Sequence, residues 1–378
     1  MSVPSVFAID GVVRRYEWGS TTAIQSMLGL PVDGRPAAEL WIGAHPGDPS
    51  RVVGSDDTLD ALIARVPRAM LGSRVQDEFG DTLPFLLKVL AADKALSIQV
   101  HPNRDQAREG FERENAAGVD IDAPDRNYRD ANHKPELICA LTPFEALCGF
   151  RPVAETLALL DGLAIPELGF LAELLRGDDP LRAAFTALLT LEDPAPVVAT
   201  VSARATENGP LRAAWLAAHD FPGDVGVLLT LLLNHVRLEP GEAIFLGAGN
   251  VHAYLRGTGV EIMANSDNVL RCGLTPKHID VPELLRITDF SELADPRLPA
   301  QDGRFEVPVP DFVLTRSAAP SILDPIDGPS LVLCTSGSVA VDRGGSSVEL
   351  APGHAAYVPP GPGDCTLTGS GVVFRASA

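Results

Sequence analysis

Glu239-Pro240-Gly241-Glu242-Ala243-Ile244-Phe245-Leu246-Gly247-Ala248-Gly249-Asn250-Val251-His252 is the stretch on which the fold turns. A Pro-Gly turn leads into a short apolar run, Ala243–Leu246, and then into a glycine-rich corner that ends on a histidine. The same order returns later in the chain. Ala351-Pro352-Gly353 precedes the apolar run Ala355–Val358, and a corner through Pro359 and Gly361 ends on Asp364. Each copy spells a turn, a strand and a corner that aims the next side chain back towards the strands. The first copy puts an imidazole there. The second puts a carboxylate with no evident metal partners nearby.

The repeated pattern resembles the second signature of cupins, small double-sheet jelly rolls. The expected fold is therefore mainly β, with two jelly-roll (cupin) β-sandwich domains, one able to hold a metal. Between the β-rich parts the text changes. From Val153 to Asn234, Leu and Ala recur at helical spacing in Thr156–Leu160, Phe170–Leu175, Leu181–Leu189 and Leu211–Ala218. The expected division is a discontinuous catalytic domain, 1–150 and 236–310, a small α-helical insert, 151–235, and a degenerate C-terminal jelly roll, 311–378. That last roll is expected to cover a sheet edge of the first. Pro308–Pro310 and Pro320–Pro325 are expected to be connections around its start.

In the N-terminal part, strands are predicted at Ala38–Gly43, Phe85–Leu90, Leu96–Val100 and Glu136–Leu141. Helices are predicted from Thr58 to about Met70 and over Arg104–Asn115.

Composition narrows the partners. The 378 residues carry 50 acidic and 30 basic side chains, a formal charge of −20. No cluster of basic residues stands against that balance, so nucleic acid and anionic membranes are not expected partners. The first ten residues lack a basic segment followed by a long apolar run, and Val225–Leu233 is too short to cross a bilayer. The five cysteines are scattered and never in CxxC spacing, which argues against a disulfide framework or a Cys-rich zinc site. A cytoplasmic monomer is the expectation. Only four basic residues are lysines, Lys88, Lys94, Lys134 and Lys277.

A metal constellation stands out. In Ser97-Ile98-Gln99-Val100-His101-Pro102, alternation puts Gln99 and His101 on one strand face. In His133-Lys134-Pro135-Glu136, Lys134 shares a face with Glu136 while His133 points the other way. His252 comes from the glycine-rich corner. Two imidazoles, a carboxylate and an amide oxygen suit Zn2+ with a position left for water or substrate. His45, His219, His235, His278 and His354 have no such context. A glutamine among the ligands argues against an iron oxygenase on the same scaffold.

These residues lie within longer motifs that resemble the type I mannose-6-phosphate isomerases (phosphomannose isomerases), zinc-dependent cupin enzymes. The resemblance runs through Tyr16–Ser20, Ala38–Pro46, Leu83–Leu90, Leu96–Asn103, Asn127–Leu137, Gly249–Tyr254 and Glu261–Lys277. It implies one zinc per chain on Gln99, His101, Glu136 and His252. It also implies aldose–ketose isomerisation of mannose 6-phosphate and fructose 6-phosphate through an enediol.

That chemistry needs a base for the carbon-bound proton, positive charge at the O1 and O2 oxygens, and a grip on the phosphate. Arg271, always charged and forked, suits the enediolate or the phosphate. Lys134 is expected near the metal. Lys88, within an apolar strand, is costly unless paired or functional. Ser97 and Lys277 are expected at the substrate, with Trp18 and Trp41 as candidate pocket walls and Glu39 behind them. The candidate bases, in order, are Glu261, Asp267 and His133. A non-catalytic sugar-phosphate sensor would be expected to lack a ligand or Arg271, and both are kept. Three of the four lysines lie in these motifs, so the acidic chain is expected to hold a small electropositive pocket. Lys94 is expected to be a turn residue.

Overall fold

The computed structural model describes residues 3–324 and 327–378. Among these, the strands form an eleven-stranded and an eight-stranded antiparallel sheet, with helices gathered mainly in one insert. The apolar runs of the repeat become the strands Ala243–Leu246 and Ala355–Val358, one in each sheet.

The larger sheet positions the site. Strand Glu39–Gly43 lies beside Phe85–Ala92, which lies beside the long strand His252–Ala264, which in turn lies beside Glu136–Ala140. Register aligns Trp41, Lys88, Glu261 and Ile138 across the four strands, with Glu39 opposite Leu90 and Met263 opposite Glu136. Because side chains alternate, Glu39, Trp41, Lys88, Glu136 and Glu261 share the front face. Leu40, Ile42, Leu87, Val89, Leu137, Val260 and Ile262 fill the back. They pack in one core with Leu314, Leu331, Leu333, Tyr357 and Phe374 of the smaller sheet. The C-terminal sheet thus covers a face of the larger one, where covering an edge was expected. A sheet buried on both sides reads as continuous apolar text broken by a few charges, which is how Phe85-Leu86-Leu87-Lys88-Val89-Leu90 reads.

The chain's first strand, Phe7–Asp10, pairs with Ala355–Val358 and with Arg51–Val52, so N-terminal residues complete the C-terminal sheet. Strand Val313–Leu323 runs through Pro320, where a connection was expected. The ladder carries a bulge between Ala319 and Ser321, so a residue without an N–H is tolerated there. Pro325, also expected in that connection, lies outside the described residues.

The helix expected from Thr58 to Met70 is two helices, Leu59–Arg65 and Pro67–Phe79. Pro67 cannot donate to the preceding turn and starts the second helix instead. The insert holds the four expected helices, as Val153–Leu163, Gly169–Leu175, Pro180–Leu189 and Arg212–Asp220. It also holds Ala195–Arg204 and Gly226–Leu229, whose Pro, Val and Gly content hides them from helical spacing. Asn103 caps helix Arg104–Ala116 in a reciprocal box with Gln106, just past the strand Ile98–Val100. No helix of the described residues is long and apolar enough to cross a membrane.

Candidate metal centre and active-site cleft

Two pieces of local geometry aim the histidines. Gly249, at φ 78°, donates its N–H to the His101 carbonyl at 2.9 Å, and an added Cβ would lie 2.9 Å from the Asp289 nitrogen. Only glycine makes that corner, and the corner delivers His252 opposite Gln99. Arg271, on the neighbouring strand Leu270–Gly273, stands in register with Gln99 on its other side. Gln99, His252 and Arg271 therefore share one face on three adjacent strands.

His101 and His252 are fully buried and Glu136 is 2% exposed. His101 Nδ1 donates to the Asn268 carbonyl at 2.7 Å, and His252 Nδ1 to the Asn250 carbonyl at 3.0 Å. These bonds fix the tautomer that leaves each Nε2 as a bare lone pair. The two Nε2 atoms lie 3.6 and 3.3 Å from the Glu136 carboxylate. His101 Nε2, His252 Nε2 and Glu136 Oε2 are all buried without a hydrogen-bond partner. Candidate donor atoms of the three residues lie within 4.8 Å of one another, the only such cluster among the described residues. Three unsatisfied donors converging on one buried point would cost several kcal/mol without an occupant, so these residues fit a zinc ion. Burial pulls His101 down to about 4, keeping it neutral as a ligand must be. Burial would raise Glu136, but the Lys134 ammonium 3.2 Å away leads the opposing influences, and the carboxylate is held well below the usual range.

Beside the cluster opens a cleft of about 600 Å³, continuous with a neighbouring hollow. Its floor holds a chain of buried polar groups. Trp41 Nε1 donates to Glu39 at 2.8 Å, and Lys88 Nζ lies 3.4 Å from Glu39 and 3.1 Å from Glu261. Tyr254 donates to Glu261 at 2.7 Å. A bulge in the long strand's ladder between Tyr254 and Arg256 lets Tyr254 and Glu261 face the same cleft despite their odd spacing. Burial, then crowding by Glu136 and Glu39, raises the Glu261 carboxyl in spite of Lys88. Lys88 is held charged, its pKa pushed up because three carboxylates outweigh its burial.

Ser97, Gln99, Trp18, Lys134, Asp267, Arg271 and Lys277 line the same cleft. So does Lys94, expected to be a turn residue, so all four lysines of the chain meet there. Arg271 and Arg129 stand close to Lys277. The two arginines and partial burial lower the Lys277 pKa. No carboxylate pairs with Arg271 or Lys277 among the described residues.

His133 is a correction. Its imidazole sits 2.9 Å from Asp311 and 2.9 Å from Arg104, away from the cleft, because it faces opposite to Lys134 and Glu136. Asp267 sits at the cleft's rim, half exposed, 3.6 Å from His45 Nε2. His45 itself, set aside in the sequence, is 5% exposed and lines the cleft against the edge of Trp41. It lies two residues past the end of strand Glu39–Gly43, so only its place after that strand could have flagged it. Tyr254 could have been found by alternation, two residues beyond His252 on one strand.

A β-sheet scaffold with a buried two-histidine, one-glutamate donor set beside a lysine-lined cleft belongs to the class of metal-dependent enzymes. Residues 6–153 match the model of the type I phosphomannose isomerase catalytic domain. The mannose-6-phosphate isomerase of Escherichia coli is 40% identical over 96% of this chain and 97% of its own length. The human one is 35% identical over 90% and 89%. Solved structures agree. A mannose 6-phosphate isomerase bound with zinc and yttrium superposes with a TM-score of 0.91 at 36% identity, covering 99% of both chains. The Salmonella typhimurium enzyme, bound to its substrate (f6p) and zinc, matches equally well over the same share of each chain. The chain belongs to the type I mannose-6-phosphate isomerase family.

Proposed function

We propose that this protein is a zinc-dependent aldose–ketose isomerase. It interconverts mannose 6-phosphate and fructose 6-phosphate by moving a proton between C1 and C2 through an enediol. The observation that carries the reading is the set of three unpartnered donor atoms of His101, Glu136 and His252, buried beside a cleft that collects every lysine of an acidic chain. Family membership supports the substrate pair and disfavours the oxygenase and sensor alternatives.

His101, Glu136 and His252 hold the ion, with Gln99 as the fourth ligand. When bound, zinc would supply a Lewis acid for the sugar's reacting oxygens, O1 and O2, as they gain charge. Lys134 and Lys88 add fixed positive charge beside them in a site shielded from water. Glu261 carries the proton between the two carbons. Burial raises its carboxyl above the ordinary range, the direction that suits a group that must both take and return a proton, and Lys88 and Tyr254 hold its carboxylate in place. Arg271 and Lys277 grip the phosphate, helped by Ser97. That neither cation pairs with a carboxylate among the described residues, with Arg129 close by, supports this choice over the enediolate for Arg271. Trp18 and Trp41 wall the sugar, and Asp267 with His45 closes the rim. Binding is expected to weaken as salt rises, because the attraction is partly solvent-exposed.

Two jelly-roll domains, within 1–150 with 236–310 and within 311–378, plus a helical insert over 151–235, are the division we adopt. The twin turn–strand–corner repeats support it. We take the protein to act in the cytoplasm as a monomer, and its acidic charge speaks against nucleic acid and anionic membrane as partners.

Incubation with mannose 6-phosphate in heavy water, followed by nuclear magnetic resonance, tests the proposal. Fructose 6-phosphate carrying deuterium from solvent supports proton transfer. Absence of product would overturn the reaction, and product still free of solvent label after many turnovers at equilibrium would overturn the enediol route, since Glu261 can return the same proton in a single turnover but not indefinitely.

A further inference from the structure

The helical insert lines the cleft with Asp220 and Phe221, where the connection Phe221-Pro222-Gly223 leaves helix Arg212–Asp220 on its way to helix Gly226–Leu229. An aspartate stands at each end. Asp220 accepts from the Ala95 backbone at 2.7 Å and is neutralised by Arg256 at 2.7 Å. It thereby ties down the loop that leads to Ser97 and Gln99. Asp224 faces the opposite wall. Its Oδ1 accepts from Gly226 N and from Leu274 N, each at 2.7 Å, and its Oδ2 accepts from Thr275 N at 3.2 Å. The turn it grips is unusual in two ways. Leu274 sits at φ +52°, the left-handed region that a leucine avoids. Gly226 and Gly273 pack backbone to backbone. A Cβ on Gly226 would lie 2.6 Å from Leu274 N, and one on Gly273 would lie 2.7 Å from the Gly226 Cα.

That turn separates two cations. Arg271 lies three residues before Leu274 and Lys277 three residues after it, and both line the cleft. Like charges so placed repel, and a left-handed leucine is a strained one. Both pressures push the turn to open. The two N–H groups of the turn held by Asp224, those of Leu274 and Thr275, oppose them, since hydrogen bonds to a charged acceptor are the strong kind. Asp224 itself forms no ion pair among the described residues. We propose that Asp224 is a positioning residue for phosphate: it holds the Gly273-Leu274-Thr275 turn so that Arg271 and Lys277 converge on one anion. The insert thereby acts as a clamp on the specificity site of an enzyme whose chemistry lies in the sheet. This rests on the assignment of Arg271 and Lys277 to the phosphate made above.

The test uses zinc-loaded full-length protein and two readouts, the affinity for inorganic phosphate by calorimetry and the KM and kcat for mannose 6-phosphate. Asp224→Ala is expected to weaken phosphate binding and raise KM by a common factor of about ten to a hundred, the penalty of a displaced positioning group. Zinc per chain and kcat should change by less than about threefold. Asp224→Asn keeps the Oδ1 acceptor but loses the Thr275 bond and the charge that strengthens the Leu274 bond, so it should recover part of the affinity. Unchanged phosphate affinity in Asp224→Ala, or a fall in kcat at constant KM, overturns the proposal. Should that variant not fold, Asp224→Asn decides, with phosphate weakened about threefold expected and unchanged affinity refuting. A wild type that binds phosphate yet turns over no sugar would sink the isomerase reading, while the calorimetry would still judge Asp224.

Discussion

Replacing Lys88 by methionine probes the cleft floor most sharply. Lys88 is 5% exposed, Glu39 7% and Glu261 2%, so one ammonium serves two carboxylates in a place that water hardly reaches. Taking the cation out of a buried pair while leaving its partner costs about 3–5 kcal/mol. Here two acids are left, but the Trp41 and Tyr254 donors remain on them, so the lower end of that range is the expected loss near pH 8. The loss has a pH signature. Glu261 is already raised above its ordinary value by burial and by Glu136 and Glu39, and it is lowered by Lys88. Without Lys88 it rises further. A carboxyl whose folded pKa lies above its unfolded one favours the folded state fully below the unfolded value and loses that contribution as pH rises through the folded value. The variant's deficit should therefore shrink by up to about 1.4 kcal/mol per pH unit towards pH 5. The wild type should show the same trend more weakly, because Lys88 stays charged throughout and holds Glu261 lower. Urea unfolding of the zinc-loaded proteins at about pH 5 and about pH 8 measures both deficits. A second change, Glu39→Gln in the same chain, should recover part of the loss at pH 8. A deficit below about 1 kcal/mol, equal at both pH values, would refute the claim that Lys88 is the shared counter-charge.

Other outcomes follow from single contacts. His252→Ala removes one of three converging donors and should cut bound zinc to well below one per chain by metal analysis; undiminished zinc would exclude His252 as a ligand. Tyr254→Phe deletes the 2.7 Å donation that favours ionised Glu261, so the acid limb of the kcat profile should move up by roughly one pH unit; an unmoved limb would take the proton-carrying role from Glu261. Glu145 fastens the insert to the sheet. Burial is outweighed by His235 and Arg212, and it is held at about 2. Its stabilisation is present above the ordinary carboxylate range and lost as pH falls towards 2, worth ~3 kcal/mol at most because the cluster is partly solvated. Glu145→Gln should flatten acid unfolding across that window, and an unchanged acid transition would count against it.

The four proposed ligands were legible because ligand spacing and strand alternation are local properties of text. Gln99 and His101 alternate on one strand, and Glu136 follows Lys134 by two. The twin corners at His252 and Asp364 likewise announced two β units from turn chemistry alone. What escaped the sequence depends on register between distant strands. The N-terminal strand Phe7–Asp10 joins the C-terminal sheet, Val313–Leu323 absorbs a proline at a bulge, and the bulge after Tyr254 turns Glu261 inward. His45 and Lys94 became cleft residues only when strands far apart in sequence closed around them. His133 was overvalued for the opposite reason. Its neighbours in sequence are site residues, but alternation sends its ring to Asp311.

The central claim is that one zinc on His101, Glu136 and His252 makes the cleft an isomerase. Titration of chelator-stripped protein with zinc, following conversion of mannose 6-phosphate to fructose 6-phosphate at each addition, tests it most directly. The expected result is no turnover in the stripped protein and a linear recovery that breaks at one zinc per chain. Full turnover without metal would contradict it.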